Sequence, residues 1–411
     1  MTIPLGDESS STRASTAAVL DHAWDTGVFR TDDIMAAAGL TRSTAISAID
    51  RLIELGLIRE LANARSERGY RTGRPARRFE LRADAGIIVG LDAGRTRFTT
   101  IAADLSGAVL VQRHDEVGIL HDSPDERRAA ATRAIEGVIA DAGAGPEDVL
   151  ALAVGVPAPV DTSGRSPAHE ERFWERMNPG FRDFFADRFP VVRVENDAAL
   201  AAVAEGSVGA ARGIPSFVAL LAGSRMGAGV VLEGRLVRGT HGGIGELDAF
   251  IHVSGVGSAH GIGQRADEWV RAARADGRVP AAHPLARIPD ADLTAQAEFA
   301  HIRADDPVTS PLVEELGALL ARICGVLGSF YDPERIVVCG AVADALDDVI
   351  ASASRRVGRA LDLPAPTIMA SRLGGDVVAL GAIAAAREEA RSIAIPLLAR
   401  RLSAAAVDEH A

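Results

Sequence analysis

One local pattern occurs twice in this 411-residue chain and constrains its fold more than any other feature. IIVGLDAGRTRFTTIAADLSGAVL, starting at Ile87, reads as an apolar strand, a Gly turn, a second strand and a Leu-Ser-Gly hairpin. FVALLAGSRMGAGVVLEGRLVRGT, starting at Phe217, repeats strand, Gly-rich turn, strand and a Glu-Gly hairpin. A supersecondary unit used twice predicts two related lobes facing a cleft. Helices alternate with further strands between the copies, among them Val149–Val156 and 191–195, so the class is α/β. The last clear strand is Arg335–Cys339, followed by a Gly turn and helices running to the C-terminus.

The first eighty residues follow a different plan. Residues 1–14 are rich in Ser and Thr without apolar periodicity and read as a mobile tail. Val19, Leu20, Ala23 and Trp24 then form one helical stripe, with Asp21 and Asp25 off it. Thr31 is placed to cap a second helix that has Asp32 and Asp33 in its first turn and Gly39 as its left-handed stop. Thr41 caps a third helix, whose buried face is Ala45, Ile46, Ile49, Leu52 and Ile53. Its N-terminal end gathers Thr41, Arg42, Ser43, Thr44 and Ser47, where a helix-turn-helix presents side chains and N–H groups to phosphates and base edges. Residues 57–62 and 77–82 read as two strands around the loop NARSERGYRTGRP, the wing of a winged helix. Within that region Arg65, Arg68, Arg71, Arg74 and Arg77 recur every third residue, so an extended arm points them along one side toward phosphates or a narrow minor groove.

Charge agrees with this division. The net charge of −12 excludes a protein that binds nucleic acid over its whole surface. From Arg59 to Arg82, however, eight arginines face three glutamates, a local +5 that leaves −17 on the rest. All 44 basic residues are arginine, so their abundance alone carries little weight. Cys324 and Cys339 lie in apolar sequence without metal-ligand spacing and read as buried packing. With 47% hydrophobic residues the chain is long enough for two or three packed domains. No apolar run spans a bilayer, and the opening MTIPLGDESSSTRAS lacks a secretory pattern, so a cytoplasmic location without membrane contact is expected.

Residues 86–389 resemble the ROK family of repressors and sugar kinases. The resemblance rests on Asp92-Ala93-Gly94-Arg95-Thr96, Gly155-Val156-Pro157-Ala158-Pro159-Val160-Asp161, Asn178-Pro179-Gly180-Phe181, Glu195-Asn196-Asp197-Ala198, Gly223 to Gly229, and Gly242 to Glu246. Gly73-Arg74-Pro75 is similar to the family's join between DNA-binding and sugar-binding parts, and the N-terminal extension to its repressor branch. The resemblance implies a two-lobed, actin-like ATPase (ribonuclease H-like) sugar-kinase fold preceded by a winged-helix DNA-binding domain. The expected divisions are a tail at 1–14, the winged helix-turn-helix at 15–82, the first lobe at 86–195, the second at 196–372, and C-terminal helices at 373–411 packing back on the first lobe. It implies Asn178, Asn196, Asp197 and Glu246 as sugar contacts, Asp197 as a vestigial general base, and Asp92, Gly94, Thr96, Gly223 and Gly227 as vestigial phosphate-site residues.

Phosphoryl transfer needs phosphate-facing N–H groups, a magnesium anchor and a base for the sugar hydroxyl. Two phosphate turns depart from the family pattern, with Arg95 and Arg225 where glycine is usual, and a side chain there crowds the nucleotide. The family's zinc histidine corresponds to Ala249, its cysteine cluster to SGVGSAHGIGQRADEW, and a usual glycine to Asp248. His252 and His260 without thiolates fall short of a four-ligand site. No zinc, ATP or magnesium, and no kinase turnover, are therefore expected. The leading reading is a sugar-responsive regulator, a repressor by family habit, of carbohydrate uptake or catabolism genes. It would act as a homodimer or dimer of dimers whose recognition helices read half-sites of double-stranded operator DNA. Two other readings stay open: an ATP-dependent sugar kinase or bifunctional kinase-regulator, and a regulator controlled by a protein partner.

Overall fold

The computed structural model of the protein describes residues 10–62, 77–118, 123–168, 172–358 and 363–408. The N-terminal unit runs α1 (Ser10–Asp25), β1 (Phe29–Arg30), α2 (Thr31–Ala38), α3 (Arg42–Glu54), β2 (Ile58–Leu61) and β3 (Arg78–Leu81). Its strands lie in the order β1-β3-β2, and antiparallel pairing of Ile58 with Leu81 through to Leu61 with Arg78 closes the base of a wing. Val19, Leu20, Ala23 and Trp24 bury the apolar stripe of α1 against Ile34, Ala45, Ile49, Leu52 and Phe79. Gly39 ends α2 at φ +65°, a conformation that glycine adopts without strain. The Thr41 hydroxyl accepts from the Thr44 N–H at 3.3 Å and so caps α3. Ala48 takes the buried place expected of Ile46 and Ile53, which are half-buried.

Two local expectations are corrected. The first helix starts at Ser10, inside the stretch read as a tail. Just after that stretch Ser15 and Thr16 are buried, their hydroxyls bonded back to the carbonyls of Ser11 and Thr12 at 2.6 and 2.9 Å, which satisfies them within the helix. Thr31 is the first residue of α2 and not its cap. The Arg30 N–H instead donates to the Asp33 carboxylate at 2.7 Å.

The body begins with β4 (Ile87–Ala93), β5 (Arg97–Asp104), β6 (Val109–Glu116), α4 (Pro124–Asp141), β7 (Val149–Val156), α5 (Phe173–Met177), α6 (Phe181–Phe185), β8 (Val192–Asn196) and α7 (Asp197–Ser207). It continues with β9 (Phe217–Leu221), β10 (Gly227–Leu232), β11 (Arg235–Val237), α8 (Ile262–Ala275), α9 (Pro284–Arg287), α10 (Ala295–Phe299), α11 (Ser310–Tyr331), β12 (Arg335–Cys339), α12 (Asp347–Val357), β13 (Thr367–Ala370) and α13 (Val377–Asp408). The two five-stranded sheets, β6-β5-β4-β7-β8 and β11-β10-β9-β12-β13, have the same topology: an antiparallel hairpin unit, then two parallel strands on its first strand. The repeat read from sequence is thus the first three strands of each lobe.

All eight residues of β7 are buried, because α4 covers one face of the first sheet and α13 the other. Helix α7 follows the first lobe in sequence yet packs on β9 and β10 of the second, and it lies along α13. Glycines permit this close packing. A Cβ at Gly229 would lie 2.1 Å from the Ala198 carbonyl oxygen, and one at Gly381 would lie 2.0 Å from that of Leu200. One continuous apolar cluster therefore runs from the N-terminal unit through α13 and α7 to the backs of both sheets.

Strand β13 was not legible in the sequence. It has four residues, stands at a sheet edge and follows Pro364 and Pro366, so it is too short for periodicity to show. The expected C-terminal helices are one helix, which continues past Pro396. Cys324 and Cys339 are buried and free. No helix among the described residues is long and apolar enough to cross a membrane.

Candidate functional site

Three acidic residues that the sequence reading assigned to the cleft stand at or near the ends of elements. Asp92 lies near the end of β4, Asp197 opens α7, and Glu246 sits beyond β11, bridged to Gly227 at the start of β10. Burial raises Asp92 to about 7 against the opposing pull of Arg97 and Arg127. Burial, and then the neighbouring Asp92, raise Asp197 to about 7. Burial, and then Asp197 and Asp248, raise Glu246 to about 7. Three carboxyl groups in electrostatic contact thus hold protons near neutrality and present donors as well as acceptors, the chemistry that polyol hydroxyls match.

Asn178 is 6% exposed, and its amide donates to the Gly164 carbonyl at 3.1 Å and the Ser166 hydroxyl at 3.0 Å. Its Oδ1 is buried and has no partner among the described residues. Asn196 is committed differently: Oδ1 accepts from the Ala199 N–H at 3.0 Å as the cap of α7, and Nδ2 donates to Ala158 O at 3.1 Å. Asn196 therefore fixes the helix terminus on which Asp197 stands.

The two turns read as phosphate sites follow β4 and β9. Gly94 permits the first, since a Cβ there would lie 2.6 Å from the Arg97 carbonyl oxygen, and Thr96 beside it is exposed. Gly223 opens the second with free space around its Cα, and Gly227 closes it against Ala198. Neither Arg95 nor Arg225 is among the described residues with positive φ. Arg225 is held in a short antiparallel bridge with His260, and its guanidinium pairs with Asp248. The two departures from the family pattern on this side of the cleft are partners.

The segment standing in place of the zinc motif is organised by an arginine. Arg265 donates to the carbonyls of His260, Val256 and Ser258 at 3.0, 2.8 and 3.2 Å and to the Ser258 hydroxyl at 2.8 Å. His260 itself faces Glu268 at 3.1 Å. Among the described residues no group of three or more His, Cys, Asp or Glu side chains could hold a metal ion.

Sequence reading also missed Arg127. It is 1% exposed, donates to the carbonyls of Met177 at 3.0 Å, Gly94 at 3.1 Å and Ala93, and packs over the Phe98 ring. One guanidinium thereby ties the first turn to the loop carrying Asn178, and burial lowers its pKa to about 10. A signal was available: Arg127 falls on the apolar face of α4, in register with Ala130, Ala131, Ala134, Ile135, Val138 and Ile139.

At the other end of the molecule Thr41, Arg42, Ser43 and Ser47 are exposed and Thr44 is half-buried at the start of α3. Arg42 makes one long ion pair with Asp32, at 3.4 Å, with both side chains largely exposed. Arg65, Arg68, Arg71 and Arg74 lie outside the described residues. Arg77 bonds Glu60 at 2.9 Å and reaches Asp50 of α3 at 3.4 Å while lying over Phe79, at the base of the wing.

A winged helix-turn-helix joined to two actin-like lobes defines a transcriptional regulator built on a sugar-kinase scaffold. The ROK family profile matches residues 88–389, and a profile described as transcriptional regulator DIP2311-like, C-terminal domain, matches residues 12–73. The chain belongs to the ROK family and is one of its transcriptional regulators. A crystal structure of a ROK transcriptional regulator described as a homologue of the E. coli MLC protein superposes with a TM-score of 0.73 at 20% identity, covering 94% of this chain and 98% of that one. A ROK glucokinase from Streptomyces griseus, solved with glucose and AMPPNP, gives a TM-score of 0.61 at 25% identity over 74% of this chain and 100% of that one. Among curated proteins, the Escherichia coli K12 regulator NagC is 25% identical over 325 residues, 76% of this chain and 75% of its own. The Bacillus spizizenii xylose repressor is 25% identical over 210 residues, 51% of this chain and 53% of its own.

Proposed function

We propose that the protein is a sugar-responsive DNA-binding regulator without kinase turnover, a repressor of carbohydrate uptake or catabolism genes. One observation carries the reading: the exposed polar start of α3 belongs to the same continuous packed body as α7, at whose start Asp197 stands close to Asp92 and Glu246. The unpartnered Asn178 Oδ1 and the three carboxyl groups raised to about 7 suit a ligand rich in hydroxyls. Asp197 and Glu246 contact that ligand directly, while Asn196 acts by positioning Asp197. The Arg225–Asp248 pair occupies the turn that a nucleotide phosphate would approach, which favours regulation over catalysis. Relatives named as a xylose repressor and as NagC support the sugar class of effector.

The working form is a homodimer on double-stranded operator DNA. A sugar shifts it only by binding one lobe arrangement better than the other. Fluorescence anisotropy of the purified protein on upstream DNA, with and without a panel of sugars and sugar phosphates, tests this. Salt-sensitive, sequence-selective binding altered by one sugar is expected. Specific binding that no sugar alters would favour control by a protein partner, and sugar phosphorylation without specific DNA binding would favour the kinase.

A further inference from the structure

The proposed regulation requires a cleft event to reach α3, and two groups of ionic contacts, joined by α13, run from the second lobe to α1, which packs on α3. The first starts in the second lobe at Arg238, just beyond β11, whose Nε donates to Glu195 at 2.7 Å. Glu195 is 3% exposed, ends the first lobe's sheet on β8, and immediately precedes Asn196 and Asp197 of the cleft. Its carboxylate also accepts from Arg193 at 3.2 Å, and Arg193 reaches Glu389 of α13 at 3.4 Å. On the neighbouring turns of α13, Arg387 and Arg391 grip the end of α1. Arg391 bonds Asp21 at 2.8 Å and Asp25 at 2.9 Å. Arg387 donates to the carbonyl of Trp24, lies over its ring, and bonds the Leu105 carbonyl of the first lobe at 3.1 Å.

These contacts add directional charge pairing to the apolar packing that already joins the N-terminal unit, α13 and the two lobes. Guanidinium groups at the C-terminal turn of α1 face its unsatisfied carbonyls and its two acids, so the docking angle of the N-terminal unit is fixed by direction as well as by charge. At the other end the two arginines on Glu195 come from different lobes, and a buried carboxylate holds both only in one arrangement of the lobes. We infer that α13 is the coupling element of the regulator, with Arg387 and Arg391 as positioning residues that set the posture of the DNA-binding unit. The chain Arg238–Glu195–Arg193–Glu389 ties that posture to the second lobe. The inference rests on the regulatory reading for its purpose, but its mechanics require neither sugar nor DNA.

The test is a distance measurement on the full chain. Cysteines replacing Ser47 on α3 and Ala140 on α4 are spin-labelled, and pulsed electron resonance gives their distance distribution. The parent is expected to show one narrow distribution, and Arg387→Ala with Arg391→Ala a broadened one. Exchange of charges, Arg391→Asp with Asp21→Arg, is expected to narrow it again, a rescue that separates posture from misfolding. Arg238→Met, remote from both labels, is expected to shift the distribution in the parent and to have no further effect once both clamp arginines are gone. An unchanged distribution without the clamp overturns the posture assignment. A shift from Arg238→Met that is absent, or that persists without the clamp, overturns the coupling. None of these outcomes depends on the sugar or DNA result, so failure of the regulatory reading is seen separately by anisotropy.

Discussion

Arg225 and Asp248, each standing where the family pattern has glycine, are ion-paired to one another at the mouth of the second Gly-rich turn. Their side chains are 60% and 58% exposed, and exposed pairs contribute only about 0–1 kcal/mol. The pair is therefore better understood by the space it fills than by the stability it adds. Arg225→Gly with Asp248→Gly is expected to leave the melting temperature nearly unchanged and to increase ADP binding in calorimetry. If the double variant binds ADP no better than the parent, the arginine is not what keeps nucleotide out.

Arg127 presents the opposite case, a charge with almost no solvent. Removing its side chain leaves the Ala93, Gly94 and Met177 carbonyls without their donor and opens a void beneath Phe98. Arg127→Ala is expected to lower unfolding free energy by about 3–5 kcal/mol in urea titrations, the range for truncating a buried, fully bonded charge. Arg127→Met, which keeps the volume, should be less damaging. Equal losses from both would point to hydrogen bonding alone.

The raised carboxyl groups predict how stability varies with pH. Asp92, Asp197 and Glu246 keep protons to about 7 in the folded protein, whereas in the unfolded chain they release them near 4. Between those limits the native state holds more protons, so stability falls as pH rises from about 4 to 7, by at most about 1.4 kcal/mol per pH unit for each group. Asp197→Asn removes the central charge and should flatten that decline in thermal melts taken from pH 5 to 8.5. It should also abolish the sugar response and spare DNA affinity. A steeper decline in the variant would contradict the placement of these charges.

Arg42 and Arg77 separate reading from bracing. Arg42→Ala should reduce the slope of log affinity against log salt by about 0.9, the contribution of one phosphate contact, and the same change is expected of Arg74→Ala. Arg77→Ala should leave the slope alone and destabilise the N-terminal unit, since its partners are Glu60 and Asp50. A reduced slope for Arg77→Ala would return it to the DNA-contacting set.

The cap of α3 offers a local test. Thr41→Ala removes the acceptor for the Thr44 N–H and should cost about 1 kcal/mol of stability, with Thr41→Ser retaining most of it. A Thr41→Ala variant of full stability but weakened DNA binding would make the hydroxyl a phosphate or base contact instead.

Elements carried by local chemistry were legible from residues alone. Alternation and glycine placement set the strands from Ile87 and Phe217, the Gly39 stop and the Thr41 cap, because each depends on neighbours within a few positions. Motifs in a fixed order singled out Asp92, Asp197 and Glu246, whose carboxyl groups lie near one another. Where the reading failed, the deciding partner was distant in sequence. Residues 10–14, read as part of a tail, belong to α1, which packs against the rest of the N-terminal unit. Strand β13 exists because β12 offers it an edge.

The sequence by itself determined the class, the repeated lobe and the winged helix, since these follow from periodicity, turn chemistry and motif order. Only the tertiary structure decided which charges meet. The protein has no lysine and carries its permanent positive charge on arginine alone, so its sequence cannot distinguish a solvated guanidinium from the one buried at Arg127, the hub at Arg265 or the pair gripping α1. A guanidinium gains its role from carbonyls and carboxylates that converge on it from separate elements, and that convergence exists only once the lobes and α13 have packed.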